Sequence, residues 1–203
     1  NNKRRSVIDL HSLFITPVFS INLAGYEDLI NIIKEIKKQD PAGIKKTNEG
    51  GWHSHTNLYD DDRFSTLKSE IINLGQEAMD HMSVEDYMIP SMSGLWAVVN
   101  GPRTKNKLHT HPFNYLSGVF YLQVPPESGS LVFHDPRPQN EVLMPPKKPE
   151  ESIHISSRVS WTPKPNDLIF FPSWLNHEVE KNNSNEDRIV LSFNLELKRK
   201  MNA

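Results

Sequence analysis

Beyond Pro90 the chain is a succession of short apolar runs rich in β-branched and aromatic residues. They read "GLWAVVN" (94–100), "LSGVFYLQV" (116–124), "GSLVFHD" (129–135), "SRVSWTP" (157–163), "DLIFFPS" (167–173) and "RIVLSFNLEL" (188–197). Turn residues separate them. Several short strands at regular spacing predict a β-sandwich or barrel.

The first half has a different texture. "LFITPVFSINL" (13–23) is apolar and β-branched but contains Pro17, which predicts an edge strand. "YEDLINIIKEIKKQ" (26–39) repeats Leu29, Ile32, Ile33 and Ile36 at helical spacing, and Pro41 follows. "FSTLKSEIINLGQEAMDHMS" (64–83) predicts a second amphipathic helix, with Ser65 as its candidate cap. Between them, 45–62 reads as a loop broken at Gly50–Gly51. The expected architecture is therefore mainly β, with two N-terminal helices packed on one face. No composition shift marks a boundary, so 1–203 is expected to be one domain. "RPQNEVLMPPKKPEES" (137–152) reads as a Pro- and Lys-rich surface loop suited to a lid.

Composition narrows the function classes. A formal charge of −2 gives no electrostatic reason to expect a nucleic-acid partner. There is no cysteine, which excludes disulfides, thiolate metal sites and a cysteine nucleophile, and fits a reducing compartment. No apolar run approaches a membrane span. "NNKRRSVIDLHS" is basic, but no apolar stretch of a secretory signal follows it. The expectation is a cytoplasmic protein with no membrane partner.

Nine histidines include two i, i+2 pairs, "HSH" at 53–55 and "HTH" at 109–111. In an extended chain, residues two apart point to one face. His109 and His111 can then present two imidazoles to one point, a metal-ligand arrangement. A third ligand is expected from 167–194, where His177 opens a strand after a Pro-Ser turn. Arg188 follows eleven residues later, about one strand and one turn, which predicts a place across the barrel from the metal. A buried arginine needs an anion, and a dicarboxylate would supply one. His53 and His55 are expected in a loop over the site rather than in a second metal site. Trp52, Trp96, Trp161 and Trp174 are expected to fill the core or line the pocket wall. Asp135 and Arg137 in "HDPRP" suggest a turn with a local ion pair.

The segments "LFITPVF", "GGWHS", "LHTHPFNYLSGVFYLQVP", "GSLVFHDPR", "FFPSWLNHEV" and "RIVLSFN" occur in a telling order and spacing. Together they resemble the 2-oxoglutarate/Fe(II)-dependent oxygenases of marine bacteria and their phages, relatives of the prolyl hydroxylases. The resemblance covers nearly the whole chain. It implies a double-stranded β-helix, the jelly roll also found in cupins, with iron at one end. It also implies a dioxygenase that uses Fe(II), 2-oxoglutarate and dioxygen to hydroxylate a small-molecule or peptide substrate.

Carried over by position, His109 takes the place of the first metal ligand and His177 that of the distal histidine. Arg188 takes the place of the residue that binds the far carboxylate of 2-oxoglutarate. Tyr121 matches a tyrosine that bonds the same carboxylate, and Ser192, at i+4 from Arg188, is expected to assist. The superfamily pattern has Asp or Glu where this chain has His111. His111 as a third nitrogen ligand is the favoured reading. The alternatives are a role behind the ligands, or a carboxylate from elsewhere, with Asp135 the nearest candidate. Two rivals stay open: a cupin-like three-histidine metal enzyme without 2-oxoglutarate, and a silent β-barrel binding module. A homodimer is compatible with the oxygenase reading.

Overall fold

The computed structural model describes residues 8–137, 139, 142, 145–146 and 155–200. Among them two antiparallel sheets face each other. The larger carries β1 (Phe19–Asn22), β9 (Asp167–Pro172), β6 (Leu116–Gln123), β11 (Arg188–Arg199), β4 (Met88–Asn100) and β3 (Trp52–His53), in that spatial order. The smaller carries β2 (Asn48–Glu49), β5 (Lys105–His109), β10 (His177–Val179), β7 (Leu131–His134) and β8 (Arg158–Trp161). This is the expected jelly-roll architecture.

The central strands are apolar on both faces, which is why their runs do not alternate cleanly with polar residues. In β4, Leu95, Ala97 and Val99 point outward to the helices, while Trp96 and Val98 point into the barrel. In β6, Phe120 and Leu122 go outward and Val119 and Tyr121 inward. The period of two thus sorts one strand between two cores. Each large apolar side chain so buried contributes about 1.5–3 kcal/mol.

The outer core is closed by α1 (Leu29–Gln39) and α2 (Ser65–His81). α1 buries Leu29 and Ile33 and ends on Lys37 and Lys38, whose charges suit the negative end of the helix dipole. α2 buries Leu67, Ile71 and Met79 against the same sheet. Its expected cap does not form: Ser65 is already helical, and Phe64 precedes it. The side chain of Asp61 instead accepts the Arg63 amide at 3.0 Å and starts a short 3-10 turn ahead of the helix. No helix among the described residues is long and apolar enough to cross a membrane.

Several expectations change. The strand foreseen over 13–23 is only Phe19–Asn22, an edge strand that begins after Pro17. The loop at 45–62 contains β2 and β3, and these two short strands join different sheets. Gly50 turns the chain between them at φ +76°, a conformation that favours glycine. His177 and Arg188 are not on a hairpin, because β10 belongs to the smaller sheet and β11 to the larger. Of "HTH", His109 is the last residue of β5, and His111 lies just beyond it. Trp174 is 54% exposed and so fills no core. Most of the lid segment expected at 137–152 lies outside the described residues.

Candidate active site

A cavity of about 330 Å³ lies between the two sheets, and His109, His111, His177, Tyr121, Arg188 and Ser192 all line it. Antiparallel pairing sets His177 directly opposite His109. His111 joins them because its amide donates to the Ser173 carbonyl at 2.9 Å, which pins the chain beyond β5 to the turn before β10.

The three ring nitrogens converge, with one donor atom from each histidine within 4.8 Å of the others. Nε2 of His111 and Nε2 of His177 stand 3.3 Å apart. Two nitrogens about 2.1 Å from one metal, at near right angles, would be about 3 Å apart. The ring orientations are held from behind. Nδ1 of His109 bonds the Lys107 carbonyl at 2.6 Å, and Nδ1 of His177 bonds the Leu175 carbonyl at 2.9 Å. A carbonyl accepts only, so each Nδ1 carries the proton and each Nε2 keeps its lone pair for the cavity.

Charge state agrees with geometry. Burial, reinforced by His109, pulls His177 down to about 3. Burial, with His109 and His53 nearby, pulls His111 down to about 4. Burial also lowers His109, against the opposing pull of the Lys107 carbonyl. Three neutral imidazoles facing one point are a donor set for a divalent transition metal. The alternative carboxylate is elsewhere: Asp135 Oδ2 pairs with Arg137 Nη2 at 2.7 Å, the local ion pair its sequence suggested.

Arg188 is 1% exposed. Its Nη1 donates to the carbonyls of Ser128 and Gly129. Its Nη2 is buried with no hydrogen-bond partner among the described residues. Arg188 makes no ion pair among the described residues, and Asp187 faces Lys37 at 4.0 Å. A buried guanidinium with an idle N–H, in a cavity wall, suits a carboxylate ligand. Tyr121 pairs in register with Val190, two residues along β11 from Arg188. Burial pushes the Tyr121 phenol up to about 12, opposed by the neighbouring Arg188 charge. Ser192 shares the inward face of β11 with Arg188, as its i+4 position required.

The "HSH" pair divides. His55 is exposed, 3.7 Å from Asp40. His53 is buried, stacks on Trp96 with centroids 5.7 Å apart and planes 7° from parallel, and lines the cavity. Lys46 lines it too. Sequence spacing drew attention to His53 but could not place it, because its two-residue strand has no apolar pattern of its own. Nothing in the sequence singled out Lys46.

Residues 94–194 match the family described as "Putative 2OG-Fe(II) oxygenase". No curated protein matches the chain in sequence. Among solved structures, a Pseudomonas putida prolyl-4-hydroxylase superposes with a TM-score of 0.61 at 12% identity, over 89% of this chain and 92% of that one. The α-ketoglutarate-dependent epimerase SnoN from nogalamycin biosynthesis gives 0.64 at 14% identity, over 89% and 76%. HygX from Streptomyces hygroscopicus, solved with nickel and 2-oxoglutarate, gives 0.60 at 13% identity, over 89% and 82%. At these identities the likeness is one of fold.

Proposed function

We propose that this chain, whose residues 94–194 match the 2OG-Fe(II) oxygenase family, is a 2-oxoglutarate-dependent hydroxylase of a small molecule or a peptide side chain. His109, His111 and His177 would hold Fe(II), and Arg188, Tyr121 and Ser192 the far carboxylate of 2-oxoglutarate. When bound, the metal and co-substrate supply oxidative decarboxylation with dioxygen and the oxidising power to hydroxylate a C–H bond.

The chain's own residues do the rest. The Nδ1 bonds of His109 and His177 fix which nitrogen faces the cavity. Arg188 offers the idle Nη2 hydrogens to a carboxylate in a shielded wall, where a charge-assisted bond is strong. Tyr121 stays protonated at any physiological pH, so its hydroxyl can donate to the same group. Trp96, Val98, Phe171 and Val190 form apolar wall around the reacting volume and keep bulk water from it.

The observation that carries this reading is the orphaned Nη2 of Arg188 in the same cavity as the histidine cluster. A three-histidine enzyme without a dicarboxylate would leave that buried charge with no counterpart. The test is calorimetry with 2-oxoglutarate on oxygen-free, metal-loaded protein. Arg188→Ala should raise the dissociation constant about tenfold to a hundredfold, the equivalent of roughly 1.5–3 kcal/mol. Arg188→Lys should fall between, keeping the charge but losing the fork. Equal binding by wild type and Arg188→Ala would remove the arginine assignment, and no binding by either would remove the oxygenase reading.

A further inference from the structure

The charges around the cavity are one-sided. Among its described lining residues are two cations, Arg188 and Lys46, and no aspartate or glutamate. The histidine cluster adds no negative charge either. If the oxygenase reading holds, a divalent metal and a dianionic co-substrate cancel each other, and the positive charges of Arg188 and Lys46 remain without an offset.

Lys46 is exposed and lines the cavity, and its charge is felt by His53. It makes no ion pair among the described residues, whereas the nearby Lys105 and Lys107 are both taken up by Glu49, at 3.2 and 3.1 Å. Its backbone is tied down, with the amide donating to Asn48 Oδ1 at 2.8 Å. The lysine is thus anchored near the cavity while its ammonium is left for a ligand.

His53 supplies the second contact. Its Nδ1 bonds the Ser54 carbonyl at 2.6 Å, so Nδ1 holds the proton and Nε2 is an acceptor. The residue is 4% exposed, its ring is held flat against Trp96, and Nε2 has no hydrogen-bond partner among the described residues. An unpartnered acceptor on a cavity-lining residue is available to a ligand N–H or O–H.

We propose that the primary substrate is a small acid that also carries an N–H or O–H group, its negative charge held by Lys46 and its donor by Nε2 of His53. This rests on the oxygenase reading for the metal and co-substrate. It is carried by the unpaired lysine, the partnerless imidazole nitrogen and the absence of an acid among the described lining residues.

The test uses protein loaded with Co(II) and saturating 2-oxoglutarate, and three probes of one skeleton: glycerate, glycerol and 3-amino-1,2-propanediol. Paramagnetic relaxation of the probe protons reports entry into the cavity. Glycerate should bind about tenfold or more tightly than glycerol, the amine least of all. Lys46→Ala should abolish the preference for glycerate over glycerol. His53→Phe, which keeps a ring to stack on Trp96, should weaken glycerate and glycerol alike. In both variants 2-oxoglutarate affinity should stay unchanged, which also shows that the site is folded. No relaxation of glycerate, equal binding of the three probes, or a preference that survives Lys46→Ala would overturn the proposal. Failure to bind 2-oxoglutarate, measured first, would instead remove the oxygenase reading beneath it.

Discussion

The ring of His177 lies 4.3 Å from that of His109, centroid to centroid, because the two residues are direct partners across the antiparallel β10–β5 pair. The His109–His177 pair is therefore built into sheet hydrogen bonding. His109→Ala or His177→Ala should abolish stoichiometric metal uptake by elemental analysis, while circular dichroism stays that of the wild type. Full occupancy in His177→Ala would end the metal assignment.

His111 stands just beyond β5, with its ring 4.9 Å from His109 and 5.1 Å from His177. If it is a ligand, His111→Ala should weaken metal affinity strongly, and His111→Asp should keep a ligand in place and retain the metal. A competition titration with a colorimetric chelator measures both. Unchanged affinity in His111→Ala would move this histidine behind the ligand set.

Tyr121→Phe keeps the packing of the ring and deletes one neutral donor. The expected loss of 2-oxoglutarate affinity is roughly threefold to tenfold, smaller than for Arg188. Calorimetry on the metal-loaded, oxygen-free variant measures it. No change would leave this tyrosine as packing alone.

The buried imidazoles make the metal-free protein acid-sensitive. In the unfolded chain they bind protons near pH 6.5. In the folded chain burial holds His111 to about 4 and His177 to about 3. Between these limits the unfolded state holds more protons, so stability rises with pH there. The contribution is fully present above about 6.5, shrinks as pH falls, and is gone below the folded values. The melting temperature of metal-free protein should thus fall from pH 7 to pH 4.5. A His111→Gln, His177→Gln double variant should show a shallower slope, and equal slopes would contradict this account.

How far the sequence went depended on where each element gets its stability. Strands such as β6 and β9 carry their own signal, because residues like Phe120 and Ile169 are buried on one face or the other of the larger sheet. β2, β3 and β5 were not foreseen. "NE", "WH" and "KNKLH" have no apolar period, and they are strands because their backbone groups pair with neighbours. The site followed the same division. Tyr121 and Arg188 sit on strands whose pattern is visible, His109 and His111 are marked by their own i, i+2 spacing, and the structure gathers them with His177 around one cavity. His53 and Lys46 arrive through a segment whose course depends on distant pairing partners. Trp174 departs from its expected burial for a related reason: a large aromatic suggests burial, but this one sits in the exposed turn before β10.

The segment that holds Lys46 and His53 lies outside residues 94–194, yet it is fastened to both sheets, β2 to β5 and β3 to β4. Residues that would handle metal and co-substrate and residues that would choose the substrate thus come from separate stretches of chain. A graft of 44–53 between relatives, splicing at points already clamped by backbone pairing, becomes a practical way to redirect what such an enzyme accepts while leaving its oxidising machinery in place.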